Sequence, residues 1–346
     1  MDLNKIFTPA EIAANWTEVA SNRIPYLGEG LFPAKKKAGL DLRWLKGSKG
    51  TPVSLMPSAF DAKATFRDRI AVKEIQTEMP FFREGFKIKE RDRQDLLRAA
   101  DSNDPYATAV IARLFDDAND LIEGANVVAE RERMDLLFHG TIAIKANGLD
   151  YSYNYGAQNI TVLSGNALWT NPSTADPLKD FKTMADTIRS NTGAEIAIAI
   201  MNSHTFGLLA ATAAIKNRFL TTTGRSFSYL TDAEVKAVIS DTLGVNIVVY
   251  DKMYRDESKN THKFVPDGRV SLIPAGPLGS TWYGTTPEEA DLRGSNVADV
   301  AVVNTGVAVT RIVDPHPVNV NTFASEIVLP SFERIDEVGI LVVEEE

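Results

Sequence analysis

The residues able to do acid–base, metal or nucleophilic chemistry are few and scattered in this chain. Its four histidines stand at 139, 204, 262 and 316, and no two have the spacing that sets a pair of imidazoles on one helix face. Cysteine is absent, which excludes disulfides, thiolate zinc sites and thiol nucleophiles within the chain. "KGSKGT" at 46–51 lacks the Gly-x-x-x-x-Gly-Lys-Ser/Thr spacing that wraps a phosphate. "GEGLFP" at 28–33 puts Pro33 where a dinucleotide-binding turn needs its third glycine. There is no Gly-x-Ser-x-Gly elbow. Acidic pairs such as Asp116-Asp117 are explained by a charged helix surface without general acid–base work. Tyr151, Tyr153 and Tyr155 share a strand face and could stack on a base or a sugar, but a packing row is the simpler reading. Catalysis is left without a candidate residue.

Charge is the one strongly patterned chemistry. The net charge is −9, yet Arg23, Lys35, Lys36, Lys37, Arg43, Lys46 and Lys49 gather near the start against only Glu29 and Asp41. The end runs the other way, with Glu326, Glu333, Asp336, Glu337 and Glu344–Glu346 against Arg334. Opposed ends of this kind can steer contact between copies of a chain, or can simply be two solvated termini. An acidic total argues against wrapping nucleic acid, which needs a basic face for counterion release.

The elements that would carry these charges can be read in turn. At 346 residues, 44% hydrophobic and 24% charged, the chain has the composition of a folded protein of about two domains. No run approaches the roughly 20 apolar residues of a membrane helix, and the start has no basic-then-apolar secretory signal. A short helix is expected over Pro9–Ala20, with Thr8 as its cap and Glu11 at the third helical position. Prolines and glycines predict irregular chain from Ser21 to Gly50. Alternation at Phe66–Val72 and at Phe86-x-Ile88 predicts strands with one wet face. Residues 1–95 hold too little apolar material for a core of their own and should lie along the rest of the chain or along another copy.

Asp104-Pro105 opens the clearest helix, whose stripe Val110, Ile111, Leu114, Phe115, Ala118, Leu121, Ile122, Ala125, Val128 and Ala129 repeats at 3.6 residues. It continues to about Phe138 and stops at Gly140, giving some 30 residues and roughly 45 Å. Asn147-Gly148 then predicts a two-residue hairpin turn. Residues 175–310 read as a compact α/β module: a helix from Asp176-Pro177 to Gly193, the strand "EIAIAIM", and a helix from Ser203 to about Asn217. A helix boxed by Thr231 and Glu234 and ending at Gly244 follows, then "VNIVVY", which is wholly apolar and therefore expected to be buried on both faces. "DESKNTH" reads as a loop. In "KFVPDGRVSLIPAG", Pro266-Asp267-Gly268 is a tight turn before an apolar strand. "FASEIVLP" and "VGILVV" close the chain as a returning pair of strands.

This order of elements resembles the major capsid proteins of tailed bacteriophages, specifically the lambda-like major capsid protein E family with the HK97-type fold. The resemblance covers almost the whole chain. It is strongest from Gly244 to Gly284, through Phe264-x-Pro266-Asp267-Gly268 and "GPLGSTWYG", and again at Asp314-Pro315 before the terminal strands. It implies an α+β fold with an N-arm at 1–45, an extended E-loop at 46–90 lying across a neighbouring subunit, and a P-domain at 91–174 with its spine helix at about 105–139. An A-domain at 175–310 and P-domain return strands at 311–346 complete the assignment.

The implied function is a head protein that self-assembles into hexamers and pentamers of an icosahedral shell around double-stranded DNA, without sequence-specific binding. The implied partners are the chain itself, a portal protein and a separate scaffolding protein, with room for a decoration protein; no membrane, cofactor, metal or catalytic residue is implied. Its place would be the virion, after assembly in the host cytoplasm. No long helical segment precedes the arm here, hence the expectation of a separate scaffold. Some relatives cross-link Lys to Asn under a Glu catalyst, and Lys63 and Lys73 lie in the E-loop region, but no motif transfers that role and no cross-links are expected. Lys35, Lys36, Lys37, Arg43, Lys46 and Lys49 are the candidate contacts to neighbouring subunits. A nanocompartment shell of encapsulin type and a soluble α/β enzyme are the alternatives.

Overall fold

The computed structural model describes residues 7–46, 73–91, 94, 105–146, 148–224, 230–256, 258–295 and 297–345. Helix α1 (Pro9–Ser21) begins as its cap requires, with the Thr8 hydroxyl accepting the Glu11 backbone N–H at 3.2 Å and Pro9 in the first turn. The stretch whose prolines and glycines predict irregular chain contains a short helix α2 (Leu27–Leu31) and strands β1 (Ala34–Lys36) and β2 (Asp41–Lys46). Strands β3 (Lys73–Glu78), which pairs with β2, and β4 (Phe81–Ile88) follow. The strand expected at Phe66–Val72 and the helix cap at Asp104 lie outside the described residues.

Helix α3 (Pro105–His139) is 35 residues long, and Gly140, at φ +68°, closes it by donating its N–H to the Leu136 carbonyl at 3.0 Å. Strands β5 (Thr141–Ala146) and β6 (Leu149–Asn154) form the expected hairpin, Ala146 facing Leu149. After β7 (Ile160–Val162), helix α4 (Pro177–Thr192) is capped by the Asp176 carboxylate and stopped by Gly193 at φ +74°. Strand β8 (Ile196–Met201) comes next. The single helix predicted from Ser203 is two, α5 (Ser203–Ala211) and α6 (Ala213–Thr223), because Thr212 is extended at ψ 145° and the Ala213 N–H donates to the Pro172 carbonyl at 2.7 Å. Helix α7 (Asp232–Leu243) has the full Thr231/Glu234 capping box and ends at Gly244. After β9 (Asn246–Val249), the stretch "DESKNTH" expected as loop gives its last two residues to β11 (Thr261–Lys263), which pairs with β10 (Met253–Arg255) as a hairpin. The chain ends with β12 (Arg269–Pro274), β13 (Ser280–Tyr283), β14 (Asp299–Val303), β15 (Val307–Pro315), β16 (Val318–Ser331) and β17 (Gly339–Val342).

The chain forms two compact units. The first takes its described residues from Met1–Arg43, Gln76–Glu132 and Ser280–Ser331, and the second from Trp44–Ile75, Arg133–Gly279 and Phe332–Glu346. In the second, a sheet of order β7-β17-β12-β8-β9 packs with α4 to α7 around Trp169, Phe181, Ile188, Leu209, Val235 and Ile239. The "VSLI" run is central in β12, antiparallel to both neighbours and buried from Val270 onward. Strand β9 is the sheet's edge and only Ile247 of its four residues is buried, so the burial expected on both faces does not occur. An all-apolar run cannot report whether a ladder partner lies on one side or two.

In the first unit, β16 pairs with β15 over Val318–Ser325, with β4 over Val320–Ile327 and with β13 over Val328–Ser331, with β14 beyond β15 and β1 beyond β13. Phe7, Ile12 and Trp16, with Ala118 and Ile122 of α3, pack on Ile88, Val303, Val309 and Val320. The described part of residues 1–95 that belongs to this unit therefore buries Phe7, Ile12, Trp16 and Ile88 against its own chain, while Val19, Ile24, Leu40 and Phe81 stay exposed. The partition differs from the one read in the sequence. The α/β body stops at Gly279 rather than at 310, because β13 and β14 join the sheet of β16. The closing strands likewise separate, β16 into one sheet and β17 into the other. Two apolar runs divided by the seven residues 331–337 carry no local mark of which sheet each will enter.

Strand β4 approaches β16 closely at Gly85, where a Cβ would lie 2.5 Å from Phe323 Cδ1 and 2.6 Å from the Thr322 carbonyl oxygen. Backbone cannot yield as a flexible side chain can, so Gly85→Ala should cost about 1–3 kcal/mol in urea unfolding. Unchanged stability would show that β4 is not seated at this distance.

Candidate assembly surface

The basic residues singled out by charge do not all meet. Lys35 and Lys36 lie on β1, opposite Trp282 and Tyr283 of the parallel strand β13, and the Lys37 N–H donates to the Tyr283 carbonyl at 2.8 Å. The Lys35 ammonium sits 5.3 Å from the Trp282 ring centre, while Lys36 Nζ reaches both carboxylate oxygens of Glu289 at 2.5 and 2.6 Å. Arg43 is on a different strand, β2, exposed between the buried Leu42 and Trp44. Lys46 ends β2 with its side chain outside the described residues, where Lys49 and Lys63 also fall; Lys73 opens β3, and its side chain is likewise not described. The sheet edge thus gathers Lys35, Lys36 and Lys37, and engages two of them within the chain.

Charge reading missed the contacts that seat the segment before β1. The Tyr26 hydroxyl donates to Glu123 Oε1 of α3 at 2.5 Å. Arg23 pairs with Glu29 at 2.7 Å and reaches Glu123 at 3.6 Å, its guanidinium 5.0 Å from the Tyr26 ring centre. The Gly28 N–H donates to Oε1 of Glu130 at 3.1 Å, and Glu130 is fully buried. Asn119 Nδ2 donates to Asn15 Oδ1 at 2.7 Å and Trp16 Nε1 to Asn304 Oδ1 at 3.0 Å. "GEGLFP" is therefore a docking element whose glycine offers its amide to a buried carboxylate. The available signal was Glu130 and Glu132 next to the apolar stripe of the long helix, which marks carboxylates that must find donors.

Three of the histidines have separate partners. His204 pairs with Glu344 and His262 with Asp256, each at 2.8 Å, and His139 stands 3.9 Å from Asp135. Among the described residues no three metal-ligating side chains gather, and no helix is long and apolar enough to cross a membrane. Tyr151 and Tyr153 stack on each other at 6.2 Å, and Tyr155 is buried on Trp44 at 5.2 Å, which is the packing row. A cavity of about 350 Å³ between β7 and α4 is lined by Asn159, Asp180, Met184, Thr187 and Leu341 among others, with no histidine or serine. Burial pushes the Asp180 carboxyl up, against a 2.9 Å hydrogen bond donated by Trp169 Nε1.

Burial, then the hydrogen bond and charge of Glu123, push the Tyr26 hydroxyl far above its ordinary value of 10.0. A phenol raised in the folded state contributes stability that is complete below the unfolded value near pH 10 and is lost as pH rises beyond it. The native chain should therefore lose stability more steeply than Tyr26→Phe above about pH 10, by up to about 1.4 kcal/mol per pH unit. Parallel curves in urea melts between pH 8 and 11 would contradict this anchor.

Comparison with known proteins gives this arrangement its setting. A phage-related protein from Bordetella bronchiseptica RB50 superposes with a TM-score of 0.57 at 16% identity, over 95% of this chain and 96% of that one. A protein described as a capsid protein of a prophage in E. coli CFT073 gives 0.54 at 14% identity, over 79% and 80%. No curated protein sequence matches. The likeness to these structures is one of fold, the HK97-type capsid fold. The family model described as phage major capsid protein E matches residues 8–343, both units and the segments that join them, and the chain belongs to that family.

Proposed function

We propose that this phage major capsid protein builds an icosahedral head from hexamers and pentamers of itself around double-stranded DNA. The observation that carries the reading is the family match over residues 8–343. The fold supports a division of labour. The sheet around β16 with α3 serves as the P-domain, and the sheet around β12 with α4 to α7 as the A-domain, with β17 counted in the latter since it pairs with β12. Residues 1–45 serve as the N-arm and 46–90 as the E-loop, based on β4. A closed shell needs many modest heterologous contacts that close by rotation, and extended segments add contact area without complicating the subunit's own fold. The net charge of −9 keeps packaged DNA from adhering to the wall. The reading assigns the chain no reaction of its own. A portal, a separate scaffolding protein and, where one exists, a decoration protein are its partners, and the host cytoplasm is its place of assembly.

Negative-stain electron microscopy of the protein, expressed alone and with its neighbouring genes, should show shells or hexamer-based sheets. A small uniform particle under every condition would overturn the proposal. Lys37→Glu combined with Arg43→Glu should lower shell yield while leaving circular dichroism unchanged, if the basic arm faces acidic surfaces of neighbours. Lys36 is left intact in that variant because its own Glu289 holds it. Normal shells would remove the two residues from the contact.

A further inference from the structure

A π-helical turn, Glu288–Leu292, follows β13 and sends two successive glutamates to two different strands. Glu288 is 5% exposed; its Oε2 accepts from Ser325 Oγ of β16 at 3.1 Å, and its other carboxylate oxygen pairs with the Arg83 guanidinium of β4. Arg83 and Ser325 face each other directly in the β4–β16 ladder, so one buried carboxylate closes a cross-strand pair. Glu289 holds Lys36, the last residue of β1. The turn is itself fixed by Thr286, fully buried, whose Oγ1 accepts the Glu289 N–H at 3.3 Å and whose carbonyl accepts the Ala290 N–H at 2.9 Å. Neighbouring side chains on a helical turn diverge by roughly 100°, which lets adjacent carboxylates reach separate strands.

Apart from these carboxylates, β1 rests on a three-residue ladder, and β4 on an eight-residue ladder with only its end, Ile88 and the partly buried Phe86, in the apolar cluster around Trp16. Each is bonded to a single ladder partner, β1 to β13 and β4 to β16. All three residues of β1 are exposed, and of the eight in β4 only Ile88 is buried. Strand β15, by contrast, is paired on both edges and buried from Val307 to Arg311.

We propose that Glu288 and Glu289 form a two-point clamp that seats the N-terminal strands β1 and β4 on the C-terminal sheet, and that the clamp opens as a local transition separate from unfolding of the β14–β15–β16 ladder. Charge-assisted bonds to a buried carboxylate contribute more than neutral ones, so neutralising the pair loosens the strands selectively. The clamp therefore governs how firmly the base of the 46–90 segment and the strand of the arm are attached. It stands on intrachain geometry alone and does not depend on the capsid reading.

The test is amide hydrogen exchange on the full-length chain and on its Glu288→Gln/Glu289→Gln variant, compared in the same assembly state. Peptides covering 34–37 and 81–88 should exchange at least about tenfold faster in the variant, while 307–315 stays within about twofold. No acceleration in the first two peptides, or an equal rise in all three, overturns the proposal. Should Glu288→Gln fail to fold, Arg83→Gln with Lys36→Gln removes the outer partners and is held to the same pattern: selective acceleration supports the clamp, and uniform or absent change refutes it.

Discussion

Strand β16 is the element on which the first unit depends. Its 14 residues meet β15 over Val318–Ser325, β4 over Val320–Ile327, and β13 over Val328–Ser331, so three segments from distant parts of the chain read their register from one strand. A strand buried on so much of its length would ordinarily be apolar, yet Asn319, Asn321, Thr322, Ser325, Glu326 and Ser331 are all buried in it. Several have identified partners: Asn321 donates to Asp314 at 2.7 Å, Ser325 to Glu288, and Ser331 to the Ser280 carbonyl at 3.1 Å while accepting Trp282 Nε1 at 3.0 Å. A one-residue slip would break every one of these bonds and send the other set of side chains inward. The polar residues thus fix the register that apolar residues alone would leave loose.

Helix α3 shows the same economy in a different form. Toward its start, Ala118 and Ile122 are buried while Asp116, Asp117 and Asp120 face solvent, an ordinary amphipathic surface. Between Ala129 and Phe138 only Arg131 and Asp135 escape burial, and Glu130, Glu132 and Arg133 are among the buried residues. Taking a charge out of water costs several kcal/mol unless partners replace the hydration, so such positions make sense only where another segment brings donors. At Glu130 that segment is Gly28, about a hundred residues earlier in the chain. The helix is therefore more than a spine with one greasy stripe. It is also the acceptor surface onto which Tyr26 and Gly28 close.

How far this could be read from the sequence follows from the range of each interaction. Caps and turns were legible because they are settled within four or five residues: Thr8 with Glu11, Thr231 with Glu234, and the left-handed glycines at 140, 193 and 244 stand where the pattern places them. The break at Thr212 was not, since it rests on the Pro172 carbonyl some forty residues away. Nor was the edge position of β9 or the departure of β13 and β14 from the α/β body, because strand partners are chosen over the whole chain. At the candidate surface the lysine cluster was visible as composition. What its charges do was hidden, for Glu289 is 253 residues from Lys36 in sequence. The family was legible because element order is a property of the whole string.

The balance of forces in the first unit suits a subunit that must join a shell. Its body, from β14 through β16 with α1 and α3, is held by apolar burial, where losing a single large side chain costs a few kcal/mol. The segments at its margin are held by single ladders and by ion pairs, with only the end of β4, at Ile88 and Phe86, reaching the apolar cluster around Trp16, and a partly exposed pair contributes on the order of 1 kcal/mol. Arg83 and Lys36 are both partly exposed, at 47% and 32% of their side chains, although Glu288 beneath Arg83 is not. A contact of that size can be exchanged for an equivalent one on another copy without threatening the fold that presents it. If the marginal strands were buried along their whole length in the apolar core, moving them would carry the cost of opening the core, and early mistakes in assembly would be locked in. On the proposed reading, modest polar anchoring on a firmly packed sheet keeps the subunit intact while leaving its extended segments correctable.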